Sequence, residues 1–260
     1  MRILLTNDDG ITSPGIVLLA KALREKGHRV FMLAPDTDRS GTSHSISFIN
    51  EPGKITEIER DTWSCSGTPV DCVIFALLGG IPELCVLEES GGRGKPPDLI
   101  LSGINRGANI GTDIVYSGTA AAARQGSLIG IPSVALSLLE GGGEWNWSPA
   151  ISFITEKLTE IRNYWRAGTF VNVNFPNTEA GPCALVPAFP SVRYYNDRIQ
   201  TYLAPDGDLY CFASLGEIET DPGVGSDWDE VSKNNAAISV ILSQPASALI
   251  SADLAGEGRA

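Results

Sequence analysis

The first ten residues, MRILLTNDDG (1–10), decide how the fold is read. A short apolar run, residues 3–5, meets Asn7, Asp8, Asp9 and Gly10. Such a run suits a strand buried on both faces, and adjacent carboxylates directly after it call for a turn. Next comes Ser13-Pro14-Gly15, with Ser13 at a capping position and Pro14 in the first helical turn. Ile16, Leu19, Ala20 and Leu23 keep helical spacing, and Gly27 closes the helix. Residues 30–33 are a second apolar strand, ended by Ala34-Pro35. Strand, helix and strand make a βαβ unit, which predicts parallel pairing.

The alternation continues outward from this unit. Thr68-Pro69-Val70-Asp71 opens a helix through Leu78, stopped by Gly79-Gly80. A strand at 98–101, an Ala-rich helix at 118–128 and a strand at 133–138 follow. Residues 1–138 therefore read as a doubly wound α/β arrangement. A helix near 149–166 and a strand at 169–175 extend the sheet, with loops at 86–97 and 140–147. The character changes after Pro176. Residues 183–215 alternate and turn at Asp206-Gly207, which predicts a β-hairpin. An acidic loop at 217–229, a last strand at 238–242 and a weakly amphipathic tail complete the reading.

Composition narrows the function classes. The chain has 260 residues and a hydrophobic fraction of 43%, enough for one large domain with a sizeable core. No apolar run reaches bilayer length, and the start lacks the pattern of a signal peptide, so neither membrane nor export is expected. Cys65, Cys72, Cys85, Cys183 and Cys211 are scattered without a CxxC pair. They are expected to be buried free thiols in a reducing cytoplasm. The net charge of −12 argues against a nucleic acid duplex as partner. It leaves room for a small anion, especially where a divalent cation reverses the local field.

In a parallel α/β sheet ligands sit at the carboxyl ends of the strands. Three polar loops fall there: 7–12, 35–45 and 102–119. On a regular strand Asp8 and Asp9 would face opposite ways, so they share a site only if the chain is already turning. Gly10 permits that turn. Two carboxylates about 4 Å apart repel by ~1 kcal/mol in water and ~4 kcal/mol at an effective dielectric of 20. A divalent cation reverses the sign. The alternative is one Asp capping the turn and the other solvated. The loops APDTDRSGTSHS (34–45) and LSGINRGANIGTD (101–113) add hydroxyl and amide oxygens, including Asn105 and Asn109. Such donors suit Mg²⁺, Mn²⁺ or Ca²⁺. Tyr116-Ser117-Gly118-Thr119 enters a helix whose free N–H groups favour an anion, although Ser117 could serve only as an N-cap. Metal ligands beside an anion nest point to phosphate chemistry. His44 is a candidate acid or substrate contact, and His28 is expected to be structural.

TNDDG, the helical PG, APDTDRSG, GTPVDCV, DLILSGINRGANIG, YSGTAAAA, VNVNFP and GSDWD occur in that order from residue 1 to about 243. The ordered set resembles the SurE family of survival-protein nucleotidases. The resemblance implies a metal-dependent phosphatase of nucleoside monophosphates. It places Asp8, Asp9, Ser40 and Asn105 on the divalent-metal ligands. It places Asn109, Ser117, Gly118 and Thr119 in the phosphate-binding region, with Asn7 nearby. The implied fold is α/β, a Rossmann-like doubly wound, mainly parallel sheet with a projecting β-hairpin and a C-terminal dimerisation segment. Residues 1–182 would form the catalytic core. Residues 183–260 would carry the hairpin arm, the last core strand and the tail, in a homodimer or dimer of dimers. The 86–97 loop is longer than the resemblance implies, and Thr6, Thr42 and His44 occupy positions where the family varies, which bears on substrate preference.

The resulting expectation is a cytoplasmic phosphomonoesterase using Mg²⁺ or Mn²⁺, with Asp8 and Asp9 catalytic and Asp9 favoured as general base. A second reading makes Asp8 a nucleophile that forms an aspartyl-phosphate, though such enzymes usually space their aspartates as DxD. A third, from another class, is a receiver-type signalling module. It would be about half this length and would need a phosphorylatable Asp and a Lys after later strands, for which no candidates stand out.

Overall fold

Alternation along the first strand sets the layers. The computed structural model describes residues 1–86, 94–221 and 223–246. β1 (Arg2–Thr6) packs Ile3 and Leu5 into one apolar cluster and Leu4 into another, because successive strand side chains point to opposite faces. α1 (Pro14–Glu25) covers the first face with Ile16, Leu19 and Leu23. β2 (Arg29–Pro35) pairs parallel with β1, so the predicted βαβ unit is present. β3 (Ile55–Glu59) and β4 (Thr62–Cys65) form an antiparallel pair. α2 (Pro69–Phe75) covers the second face, capped by reciprocal bonds between Thr68 and Asp71. β5 (Leu99–Arg106), α3 (Gly118–Leu128), β6 (Ser133–Leu138), α4 (Trp147–Arg162) and β7 (Thr169–Phe175) continue the alternation. β8 (Leu185–Pro187), β9 (Val192–Tyr195), β10 (Arg198–Leu203), β11 (Leu209–Ser214), β12 (Ile218–Asp221), α5 (Asp227–Ser232) and β13 (Ala236–Leu242) follow.

The central sheet has nine strands in the order β3-β4-β2-β1-β5-β6-β7-β13-β8. All neighbours from β4 to β7 are parallel, whereas β3 runs antiparallel to β4, and β13 runs antiparallel to β7 and parallel to β8. α1 and α4 share one face, and α2 and α3 pack together on the other. This is the expected doubly wound, mainly parallel sheet. The chain moves from β1 through β2 to β4, then returns to β5 and proceeds the other way. The switch point therefore lies between β1 and β5, where the strand ends diverge and leave a crevice. At the two sheet edges, β8 is three residues long and ends at Pro187, and β3 shifts register between Glu57 and Glu59.

Several expectations needed correction. The predicted strand at 98–101 runs on to Arg106, with a register shift between Ser102 and Asn105. The acidic loop at 217–229 contains β12 and the first turn of α5. The single hairpin resolves into two ladders, β10 with β11 and β9 with β12, and every residue of β10 and β11 is exposed. Ser13 occupies the N-cap of α1, but its side chain makes no capping bond. None of the five cysteines forms a disulfide among the described residues, yet Cys183 and Cys211 are exposed rather than buried. Part of the 86–97 loop and most of the tail lie outside the described residues. No helix among the described residues is long and apolar enough to cross a membrane.

Candidate active site

The three polar loops meet at the switch point, and backbone hydrogen bonds join them. Gly10 takes a positive φ of 96°, which turns the chain after β1. Asn7, fully buried, donates from Nδ2 to Gly10 O at 2.9 Å and closes that turn. Arg39 N–H donates to Asp8 O at 2.7 Å, and Ser43 N–H donates to Tyr116 O at 3.1 Å. The 36–45 loop is thus fastened at one end to the acidic pair and at the other to the approach to α3. A cleft of about 600 Å³ opens between these segments, lined in part by Asp8, Ser40, Asn105, Arg106, Asn109 and Ser117.

Asp8 is buried and accepts from Thr119 N–H at 3.1 Å and from the Thr119 hydroxyl at 2.5 Å. A side chain at Gly118 would meet Asp8 Cβ at 2.9 Å, so glycine lets the start of α3 come this close. Asp9 accepts at Oδ2 from Arg106 N–H at 3.1 Å, a bond that spans the switch point. Ser40 donates its hydroxyl to Asp38 Oδ1 at 2.6 Å, and Asn105 donates Nδ2 to Gly107 O at 2.9 Å. With their hydrogens engaged in this way, Ser40 and Asn105 have oxygens left to act as acceptors. The donor set is two carboxylates and two neutral oxygens, the chemistry a hard divalent cation takes. Among the described residues no cluster of three or more His, Cys, Asp or Glu forms a metal site, as expected if half the ligands are neutral.

The electrostatics agree with that fit. Burial pushes the Asp8 carboxyl above its ordinary range, against the Thr119 bonds, which pull it down. Burial, then the Asp8 charge, pushes Asp9 up to about 6. No basic side chain pairs with either carboxylate among the described residues. A buried acidic pair of this kind is costly until a cation joins it. Asp9 is protonated more readily in the folded chain than in the unfolded one, whose value is near 3.8. Metal-free protein should therefore gain stability as pH falls through about 6 toward about 4. Chemical denaturation should find metal-free Asp9→Asn more stable than wild type at pH 7, with the gap narrowing toward pH 4. A gap that stays constant with pH would contradict this.

The anion side differs from expectation in detail. Ser117 lines the cleft and also caps α3, accepting from Ala120 N–H at 2.9 Å. Thr119 is fully buried, and both its donors serve Asp8, so it orients a carboxylate rather than facing a ligand. Gly118 N–H makes no hydrogen bond among the described residues. Asn7 braces the turn from within and is absent from the cleft wall. Asn109 N–H donates to Asn174 Oδ1 at 2.8 Å, while Asn172 and Asn174 donate to Asn109 O at 2.8 and 3.0 Å. Its side chain donates to Ser137 Oγ at 2.8 Å. Because a hydroxyl both gives and takes, the Asn109 amide can turn over and offer its NH₂ to the cleft. His44 bonds Gln125 at 3.0 Å on the flank of α3, outside the cleft lining. His28 contacts the N-terminal amine at 3.2 Å, a structural role.

Sequence reasoning missed Asp38, whose signal was its place two residues before Ser40. It also missed the wall supplied by Asp113, Tyr195, Asp197 and Leu215. Asp227 fastens that wall: its carboxylate accepts from Gly111 N–H and Ser191 N–H, both at 2.8 Å.

Fold and cleft define a class: a doubly wound α/β protein with an oxygen-donor ligand site at its switch point. Within that class, the family model "Survival protein SurE" matches residues 3–193, and the chain belongs to the SurE family. It is 36% identical over 248 residues to the 5'-nucleotidase SurE of Methylobacterium nodulans, covering 92% of each chain. It is 36% identical over 248 residues to the 5'-nucleotidase SurE of Xanthomonas campestris pv. campestris, covering 93% of this chain and 89% of that one. The crystal structure of the SurE protein from Aquifex aeolicus superposes with a TM-score of 0.79 at 30% identity, covering 98% of both chains.

Proposed function

We propose that the chain is a metal-dependent phosphoric monoester hydrolase that converts nucleoside 5'-monophosphates, and 3'-monophosphates as a secondary class, to nucleoside and phosphate. One observation carries the reading: four oxygen donors without a cationic partner stand beside the anion-receptive start of α3. Asp8, Asp9, Ser40 and Asn105 would hold Mg²⁺ or Mn²⁺. When bound, such an ion supplies Lewis acidity toward a phosphoryl oxygen and toward water.

The chain's own groups do the rest. Thr119 holds Asp8 in one orientation through two bonds. Gly118 N–H, the Ser117 hydroxyl and the Asn109 amide receive the phosphoryl oxygens, fixed donors that need little reorganisation as charge shifts. Asp9 keeps Oδ2 on Arg106 N–H, leaving Oδ1 to take the proton of the attacking water. Arg106, the basic residue in the cleft wall, carries its guanidinium over the Trp145 ring at 5.5 Å, within reach of a charged ligand by rotation. Both Asp8 oxygens engage Thr119, which weighs against Asp8 as a nucleophile.

The segment 183–260 is the natural carrier of a homodimer or dimer-of-dimers contact, since its hairpin exposes Ile199, Tyr202, Leu203, Leu209, Tyr210 and Phe212. Five cysteines without a disulfide among the described residues fit a reducing compartment such as the cytoplasm. The test is a substrate panel. Protein stripped of metal should hydrolyse no nucleoside monophosphate, and restored Mg²⁺ or Mn²⁺ should return that activity ahead of activity on polyphosphate. Full turnover in chelator would overturn the assignment.

A further inference from the structure

Arg106 stands where an ion pair is expected and makes none. It ends β5, its own N–H is bonded to Asp9 Oδ2, and it shares the cleft wall with Asp8. The chain carries a net charge of −12. A long, exposed guanidinium so placed should fall onto the neighbouring carboxylates. Among the described residues it forms no ion pair. Instead the guanidinium lies over the Trp145 ring, 5.5 Å from its centroid. Trp145 stacks in turn on Trp147, with centroids 5.5 Å apart and planes at 16°. Trp147 begins α4 and is buried in the core cluster that α1 covers. One side chain pins the loop on both sides of Trp145: Asn177 accepts from Asn146 N–H at 2.8 Å and donates to Glu144 O at 3.1 Å. Trp145 is therefore a fixed shelf, and it holds a cation beside the acidic pair but off it.

We propose that Trp145 is a positioning residue of the candidate metal site: by stacking Arg106 it keeps the guanidinium from pairing with Asp8 and Asp9, and so leaves both carboxylates to a divalent cation. The proposal rests on the metal site of the reading above and concerns what keeps that site open. A guanidinium matches a carboxylate with parallel N–H bonds, so a swung Arg106 would neutralise the charge that draws the metal. The metal then binds only those molecules in which Arg106 is parked, and its apparent affinity falls with their fraction.

The test is calorimetric titration of metal-free protein with Mn²⁺, with no substrate present. Trp145→Leu keeps an apolar body on Trp147 and removes the ring under Arg106. It should bind Mn²⁺ about threefold or more weakly than wild type, the order set by a lost cation–π contact. Adding Arg106→Gln to it should restore the wild-type affinity, because the competitor is gone. Arg106→Gln alone should bind no more weakly than wild type. If Trp145→Leu does not fold, Trp145→Phe carries the same comparison with a smaller loss. A role for Trp145 in packing alone would leave the double variant as weak as Trp145→Leu, and that result would overturn the proposal. Equal affinities of Trp145→Leu and wild type would overturn it too, while the metal site stands. If wild type binds no Mn²⁺, the metal site falls and the proposal with it.

Discussion

Replacing Asp8 or Asp9 with asparagine is expected to lower kcat/KM on nucleoside monophosphates by at least about a hundredfold while the fold survives. Both substitutions preserve shape and remove charge. An asparagine at position 8 can keep Oδ1 on Thr119 N–H and turn its NH₂ to the Thr119 hydroxyl, which can accept. One at position 9 can keep Oδ1 on Arg106 N–H. What disappears is half of the negative charge that would hold a divalent cation. Turnover should be measured at saturating Mg²⁺ and Mn²⁺, with cation affinity followed by titration and folding by circular dichroism. Metal-free variants should melt no lower than wild type, because each removes one of two buried carboxylates, and burial, then the charge of Asp8, pushes Asp9 up to about 6. Near-wild-type turnover in both variants would remove these residues from the site.

Gly15→Ala should cost about 3 kcal/mol or more, the reverse of the usual effect of alanine in a helix. Alanine ordinarily stabilises a helix interior by about 1 kcal/mol over glycine. Here a Cβ on α1 would lie 2.2 Å from Ile104 O and 3.0 Å from the Trp147 ring. The carbonyl belongs to the end of β5, where the backbone has little room to yield. Moving it displaces Asn105, so activity should fall with stability. Urea denaturation reads the first effect and kcat/KM the second. Val17→Ala on the half-exposed side of the same helix should stay within about 0.5 kcal/mol. Equal stabilities for Gly15→Ala and wild type would show that α1 can back away from β5.

The β1–α1–β2 unit was legible because both periodicities are strong there. Elements that rest on long-range contacts were not. β3 is polar and almost wholly exposed, so its sequence ITEIE lacks an apolar face to betray it. α5 has six residues, too few for a helical stripe to emerge from an acidic run. Asn172 and Asn174 look like solvent-facing positions in VNVNF, yet both are fully buried, because helices or loops cover both faces of β7. Their partner is Asn109, far away in the chain, and no local pattern encodes that pairing. The loops that carry Asp8, Asn105, Asn109 and Ser117 could be gathered in advance because ligands bind outside the carboxyl ends of parallel strands, and Ser40 was singled out through the family resemblance. Thr119 was named as a phosphate contact since its motif precedes a helix; only the close approach allowed by Gly118 turns its hydroxyl to Asp8. Tyr195 and Leu215 reach the cleft through the anchoring of β9 at Thr112 and Asp113, which depends on tertiary packing alone.

The contrast between the sheet margins and the arm bears on behaviour at high concentration. A margin accepts a foreign strand only where several backbone groups in a row are flat and unpaired. β8 is too short for that and ends at a proline, and β3 is kinked by its register shift and carries Glu57 and Glu59. The nine-stranded core is therefore a poor template for fibre growth. β10 and β11 instead form a two-stranded ribbon, six residues to a strand, with outer edges unpaired among the described residues and tyrosine, leucine and phenylalanine along them. Self-association, whether ordered or pathological, is concentrated by this design in the ribbon rather than in the sheet that carries the acidic pair.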